Sequence, residues 1–238
     1  MTITSPHNQK LKEIRKLRTR RRERERVGMF VAEGEDLLAA ADAAGWKPIE
    51  RFSAAGSGLP GVEVDPQLLA GASGLASGTR ALAVYQERWS ERPLGPLCVY
   101  LHGVHDPGNV GAILRSALAF GASCVALGPG SADPFSPKAV RASMGAVFAV
   151  TLARARTITD LPGSKLALVA GAGSPLSALP PAATGEITLL IGSERDGLPE
   201  ELVSQADVTV HIPILIHSLN AAMAATVALY EVTRMARA

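Results

Sequence analysis

The chain has 238 residues, 47% of them hydrophobic, and a formal net charge of +2. That length suffices for one large domain or two smaller ones, and a mean hydropathy of +0.17 excludes a disordered polymer. Only 4% of the residues are aromatic, which excludes an open platform of rings for single-stranded nucleic acid.

No uncharged apolar run reaches membrane-spanning length, and the basic N-terminal region leads into further charge, so neither a membrane partner nor a signal peptide is expected. Cys98 and Cys124 fall in apolar, strand-like runs and are expected to be reduced core thiols, which suits a cytoplasmic protein. There is no zinc-ligand spacing, and no metal is expected. Charge is unevenly spread: ten of the 24 Lys/Arg but only three of the 22 Asp/Glu lie between Lys10 and Arg26. A charge run is usually a solvated face. Here Arg18-Thr19-Arg20-Arg21-Arg22 has little acidic relief, which favours a phosphate backbone as partner.

Residues 1–90 read as a small α/β domain. Lys10 to about Arg26 is expected to be one helix with Leu11, Ile14 and Leu17 as a thin apolar stripe. Met29–Ala32 is a strand, and Gly34–Ala44 a Leu/Ala helix that Gly45 and Pro48 end. Ile49–Phe52 and Ala81–Tyr85 are further strands, separated by a weakly informative Gly/Ser-rich stretch, Ala54–Ser77. Glu87–Pro96 reads as a linker. Residues 96–238 form the second domain, where strands and helices alternate. The strands are Leu97–Leu101, Cys124–Leu127, Val147–Leu152, Leu166–Ala170, Ile187–Ile191 and Val208–Ile212; the helices are Asn109–Phe120, Ser136–Gly145, Pro199–Gln205 and Ser218–Ala236. Such alternation predicts a mostly parallel sheet with helices on both faces and ligands in the loops beyond the carboxyl ends of the strands.

Three of those loops carry unusual residues. In His105–Gly121, turn chemistry at Asp106-Pro107-Gly108 precedes Asn109, a good N-cap, and a helix that turns Val110, Ile113, Leu114 and Ala117 inward. Arg115 is the oddity on that nearly apolar helix: a partly buried guanidinium needs an anion or several acceptors, and the helix alone favours a structural ion pair. Gly192-Ser193-Glu194-Arg195-Asp196-Gly197 follows a buried strand, where two glycines allow close backbone approach by a ligand. The spacing fits neither a dinucleotide fingerprint nor a Walker loop. Ser218 is expected to cap a last helix that buries Leu219, Met223, Val227 and Tyr230, and an Asn220 amide in its first turn must find partners if buried.

Together these stretches resemble the SpoU/TrmH branch of the SPOUT methyltransferases, a family of RNA ribose 2′-O-methyltransferases. The resemblance runs through Asp106–Ile113 with Arg115 and Phe120-Gly121, Ile191–Glu194 with Gly197-Leu198, and Ile212-Pro213 with Ser218-Leu219-Asn220 and Leu229-Tyr230-Glu231. Asp133 with Pro137–Ser143, and the early residues Ile3-Thr4-Ser5, Asn8, Lys12, Leu17 and Glu33-Gly34, extend it over nearly the whole chain. It implies an α/β protein: a SPOUT trefoil-knot domain behind a smaller, L30e-like substrate-binding domain. It further implies S-adenosyl-L-methionine as cofactor, held through Gly192, Ile212, Leu219 and Gly128, with Asn109, Arg115, Glu194, Ser218 and Asn220 lining the ribose site. A homodimer acting on RNA follows as well, ribosomal before transfer RNA. The chain departs from the family at Ile214–His217, which is shorter and more apolar than usual. The rival expectations are a non-catalytic RNA-binding or ribosome-assembly protein that retains the fold, and a transfer-RNA or base methyltransferase.

Overall fold

The computed structural model describes residues 2–74, 78–178 and 185–235. The chain forms two compact units, one made of the described residues up to Arg88 together with Asp133–Ala149, the other of Trp89–Ala132 and Val150 onward.

In the first unit, Asn8 accepts from the Lys10 N–H and starts α1 (Gln9–Thr19), whose Leu11, Ile14 and Leu17 are buried as expected. The single helix expected to Arg26 breaks at Arg20, where the backbone is extended (φ −120°, ψ 107°), and restarts as α2 (Arg21–Val27). Then come β1 (Met29–Glu33), α3 (Glu35–Ala43), β2 (Glu50–Ala54), β3 (Val62–Val64), α4 (Pro66–Ala72) and β4 (Ala81–Gln86). They give a four-stranded sheet of order β1-β4-β2-β3, antiparallel except for β2 with β3. The uninformative Ala54–Ser77 stretch holds β3 and α4, and its last three residues lie outside the described ones. Its helix had a legible start, Asp65 capping the Gln67 and Leu68 N–H groups with Pro66 behind it.

The second unit opens with β5 (Leu97–Leu101), α5 (Pro107–Ala119) and β6 (Cys124–Leu127). The chain then returns to the first unit with α6 (Pro137–Ala142) and α7 (Ala146–Ala149). The boundary expected at residue 96 had placed this excursion in the second domain, and Val147–Ala149 in a strand. Instead Phe135 and Phe148 enter an aromatic core with Phe30, Trp46 and Tyr85; Phe30 and Phe135 have ring centroids 4.6 Å apart. The Trp46 indole N–H donates to the Phe148 carbonyl at 2.7 Å. The Arg24 guanidinium, only 5% exposed, pairs with Asp133 at 2.7 Å and donates to the Leu17 carbonyl at 2.6 Å. Sequence spacing cannot report such long-range partners.

From β7 (Thr151–Arg154) the chain continues through β8 (Ser164–Leu168), β9 (Ser174–Pro175), β10 (Ile187–Ile191), α8 (Glu200–Ser204) and β11 (Val208–His211) to α9 (Ala221–Met235). Ala236, the expected end of that last helix, lies outside the described residues. The seven strands pair throughout in parallel, in the order β7-β6-β5-β10-β8-β11-β9. After β10 the chain passes beyond β8 to β11, and α9 returns to pack on α5 and β10, the return path that a C-terminal knot requires. Cys98 and Cys124 face each other in register, both buried and free. The hydrogen bond that the Cys98 thiol gives to Cys124, and burial, push the Cys98 thiol up, so it stays protonated.

The expected burial on α9 is wrong at three positions. Ala221, Ala222, Ala225, Ala228, Leu229 and Val232 face inward, while Met223, Val227 and Tyr230 are 63%, 41% and 54% exposed. Small residues let the helix sit close to α5, where the Ser116 and Thr226 hydroxyls meet at 2.6 Å.

Removing one partner of a buried ion pair strands the other charge. Arg24→Ala and Asp133→Asn are therefore each expected to cost about 3 kcal/mol in urea unfolding, and the double variant clearly less than their sum.

Candidate active site

Because the strands of the large sheet run parallel, their carboxyl ends share one rim, and the loops after β5, β10 and β11 meet there. The first loop enters α5 through Asp106, whose Oδ1 accepts from the Gly108 and Asn109 N–H groups at 2.6 and 3.1 Å. Asp106, not Asn109, is thus the cap, with Pro107 at the first helical position. The Asn109 side chain is freed from capping. Its Nδ2 donates to Glu194 Oε1, and its Oδ1 accepts from Asn220 Nδ2 at 3.0 Å. One amide therefore ties together three loops.

Each neighbour is fixed in turn. Asn220 Oδ1 accepts from the Ala222 and Met223 N–H groups at 2.9 and 3.3 Å, so Asn220 caps α9, the role expected of Ser218. Glu194 sits in a closed turn in which Ser193 and Gly197 exchange two backbone bonds of 3.1 Å and the Ser193 hydroxyl accepts from the Asp196 N–H at 2.9 Å. A Cβ on Gly192 would lie 2.1 Å from the Gly197 carbonyl carbon, so the turn closes only with glycine there.

Beside this cluster is a cavity of about 400 Å³, lined among others by Val169, Gly192, Glu194, Ile212, Ser218 and Leu219. Three of the four expected cofactor residues, Gly192, Ile212 and Leu219, thus come together. Gly128 does not line it: a Cβ at Gly128 would lie 2.3 Å from the Tyr100 hydroxyl, so its glycine makes room for that ring. Ser218 is exposed at the cavity wall with no hydrogen bond among the described residues. The short Ile214–His217 stretch still supplies Ile214 and His217 to the lining, while Leu215 and Ile216 point to solvent.

Arg115 corrects the sequence reading most. It is exposed on α5 and makes no ion pair or hydrogen bond among the described residues, so it is neither partly buried nor a structural partner of Glu194. It shares its side of α5 with Leu118, one turn on and 45% exposed.

A second hollow, of about 350 Å³, lies across the Ser193–Gly197 turn and is lined by His102, His105, Pro129, Gly130, Ser193 and Asp196 among others. Its two histidines stand just before the Asp106 turn; the sequence places His105 in the loop but gives neither histidine a role. Burial lowers the His102 pKa, so its imidazole is neutral near pH 7, with Nδ1 3.3 Å from the Tyr100 hydroxyl. Among the described residues no group of three or more His, Cys, Asp or Glu gathers as metal ligands, and no helix is long and apolar enough to cross a membrane.

The SpoU rRNA Methylase family model matches residues 96–230, and an MRM3-like substrate binding domain matches residues 8–83. The chain is 26% identical to the 23S rRNA (guanosine(2553)-2′-O)-methyltransferase RlmP of Bacillus subtilis, over 96% of this chain and 98% of that protein. It is 43% identical over 147 residues to ribosomal RNA small subunit methyltransferase G 2 of Syntrophobacter fumaroxidans, covering 58% of this chain and 27% of that one. An AdoMet-bound rRNA methyltransferase from Sinorhizobium meliloti superposes over 99% of this chain and 98% of its own, with 30% identity and a TM-score of 0.88.

The two Asn/Ser positions separate in stability. Asn220→Ala is expected to lower thermal stability by about 1 kcal/mol through loss of the cap, and Ser218→Ala to leave the melting curve unchanged.

Proposed function

Since the chain belongs to the SpoU rRNA Methylase family, we propose that it transfers a methyl group from S-adenosyl-L-methionine to a ribose 2′-hydroxyl of ribosomal RNA. The observation that carries this reading is the Glu194–Asn109–Asn220 chain of hydrogen bonds beside a cavity of cofactor size. The residues fit the cofactor: Ile212 and Leu219 offer apolar walls, the Gly192–Gly197 turn offers backbone groups, and the Glu194 carboxylate suits a sulfonium cation. When bound, the cofactor supplies an activated methyl group.

The remaining work falls to side chains. A ribose hydroxyl is a poor nucleophile, so it must be held in line and stabilised as it loses its proton. Asn109, Asn220 and Ser218 present neutral donors and acceptors that orient the ribose without drawing its proton prematurely. Glu194 holds the Asn109 amide in one orientation. The Arg115 guanidinium would favour an alkoxide-like oxygen or bind the neighbouring phosphate.

Partner and compartment follow from the surface. Lys12, Lys16, Arg20 and Arg22 are exposed and make no ion pair among the described residues, which leaves them available to a phosphate backbone. Leu118, Met223, Val227 and Tyr230 form an exposed apolar face on α5 and α9. A second copy of this chain would cover that face and enclose Arg115, which stands beside Leu118. The free, buried thiols and an RNA substrate agree with the cytoplasm.

Calorimetric titration with S-adenosylmethionine should give micromolar binding, and alkaline hydrolysis of treated ribosomal RNA one protected linkage. A folded protein that binds RNA but no cofactor would be a non-catalytic member of the family. Arg115→Ala should lower turnover by about a hundredfold, with melting temperature and cofactor affinity unchanged, because the side chain holds no partner in the chain itself. Sedimentation should find a dimer that Val227→Asp dissociates; a wild-type monomer would remove the homodimer from this reading.

A further inference from the structure

We propose that the hollow between the His102–His105 loop, Pro129-Gly130 and the Ser193–Pro199 turn receives an unstacked base of the substrate RNA, guanine foremost. His105 would lie against the face of the base, and the Asp196 carboxylate would accept from its N–H groups. This rests on the RNA-methyltransferase reading above and names the part of the substrate that reading leaves unassigned.

Position supports it first. The hollow shares Ser193, Asp196 and Gly197 with the lining of the larger cavity, so a single turn of chain separates the two. His105 immediately precedes the Asp106 cap that sets Asn109, and Asp196 lies two residues beyond Glu194. A nucleotide whose ribose meets Asn109 and Glu194 therefore has its own base, or the next one, within reach of this hollow.

The surfaces fit as well. Unpaired RNA bases are recognised by stacking on aromatic or imidazole rings and by hydrogen bonds along their edges. The large rings Phe30, Phe52, Phe135, Tyr85 and Tyr100 are fully buried, whereas His105 is exposed at the mouth of the hollow. Gly130 has φ +74°, and a Cβ there would stand 3.3 Å from Gly103 Cα and 3.4 Å from His105 Cε1, so glycine keeps this wall of the hollow open beside the ring. The Tyr100 hydroxyl at His102 Nδ1 fixes the inner imidazole. Asp196 takes one bond from the Ser193 hydroxyl, at 3.3 Å. A carboxylate has capacity for about four such bonds and donates none. Of the four bases, guanine alone carries two adjacent donors, N1–H and the 2-amino group, that match two carboxylate oxygens.

Proton NMR on the full chain, with the imidazole signal assigned through His105→Ala, tests this directly. Guanosine 5′-monophosphate should shift the His105 Cε1–H resonance upfield and saturably, ribose 5-phosphate should not, and Asp196→Asn should weaken the guanosine nucleotide at least fivefold. No shift, or an equal shift with ribose 5-phosphate, overturns the proposal. With unmodified ribosomal RNA transcripts, His105→Ala should raise KM at least tenfold and leave S-adenosylmethionine affinity unchanged; an unaltered KM also overturns it. A wild-type protein that transfers no methyl group yet passes the nucleotide titration refutes the functional reading instead.

Discussion

The side-chain amide of Asn109 is the constraint on which the site depends. Its two ends face opposite partners, a carboxylate at Glu194 and the amide nitrogen of Asn220, so a flipped amide would lose both bonds. The three residues come from loops after β5 and its neighbour β10, and after β11, which lies two places beyond β10 in the sheet. Each is anchored by its own backbone device: the Asp106 cap, the closed Ser193–Gly197 turn and the Asn220 cap. Side chains held by packing and by local hydrogen bonds keep the geometry a reaction needs without reorganising when substrate arrives.

That geometry exists because the sheet is parallel. Parallel pairing sends every strand's carboxyl end to the same rim, and short buried strands such as Leu97–Leu101 and Ile187–Ile191 set it rigidly. The larger cavity and the smaller hollow are then two sides of one turn. Glycine at 192 lets that turn close to a contact no side chain permits. The charge of the molecule is arranged to match. The loops at the rim carry carboxylates and amides, while on α1 and α2 Lys12, Lys16 and Arg22 are exposed and make no ion pair among the described residues.

Much of this was legible in the chain itself, for reasons that can be named. Apolar runs reported β5, β6 and β10 to the residue, and the stripe Leu11, Ile14, Leu17 reported the buried face of α1. Motif order identified the family, and with it Asn109, Glu194 and Asn220, which the fold does bring together. What failed was whatever depends on distant partners. Asn109 and Ser218 are both good caps by residue type, yet Asp106 and Asn220 hold the positions, because Pro107 and the docking of α9 on α5 decide where each helix begins. Periodicity set Met223, Val227 and Tyr230 on one stripe of α9 but buried the wrong face, because it could not say that the Ala-rich side would turn inward. The excursion of Asp133–Ala149 into the first unit has no local signal at all.

Arg115 gathers these points into one argument. A guanidinium in a nearly apolar helix called for a counter-charge, and within the chain it has none among the described residues. It lies on the same helix as exposed Leu118, with exposed Met223, Val227 and Tyr230 on the helix packed against it, and exposed apolar groups of this kind mark interaction surfaces when they gather. If a second copy covers that face, the positive charge enters a drier environment, where an RNA phosphate or a developing alkoxide is its natural partner and each unit of charge counts for more than in water. The amide cluster would then orient the ribose and an arginine held by the interface would stabilise the charge. On the proposed dimer, catalytic competence would be a property of the assembled pair, with the Arg115 that one chain leaves exposed completed by its partner.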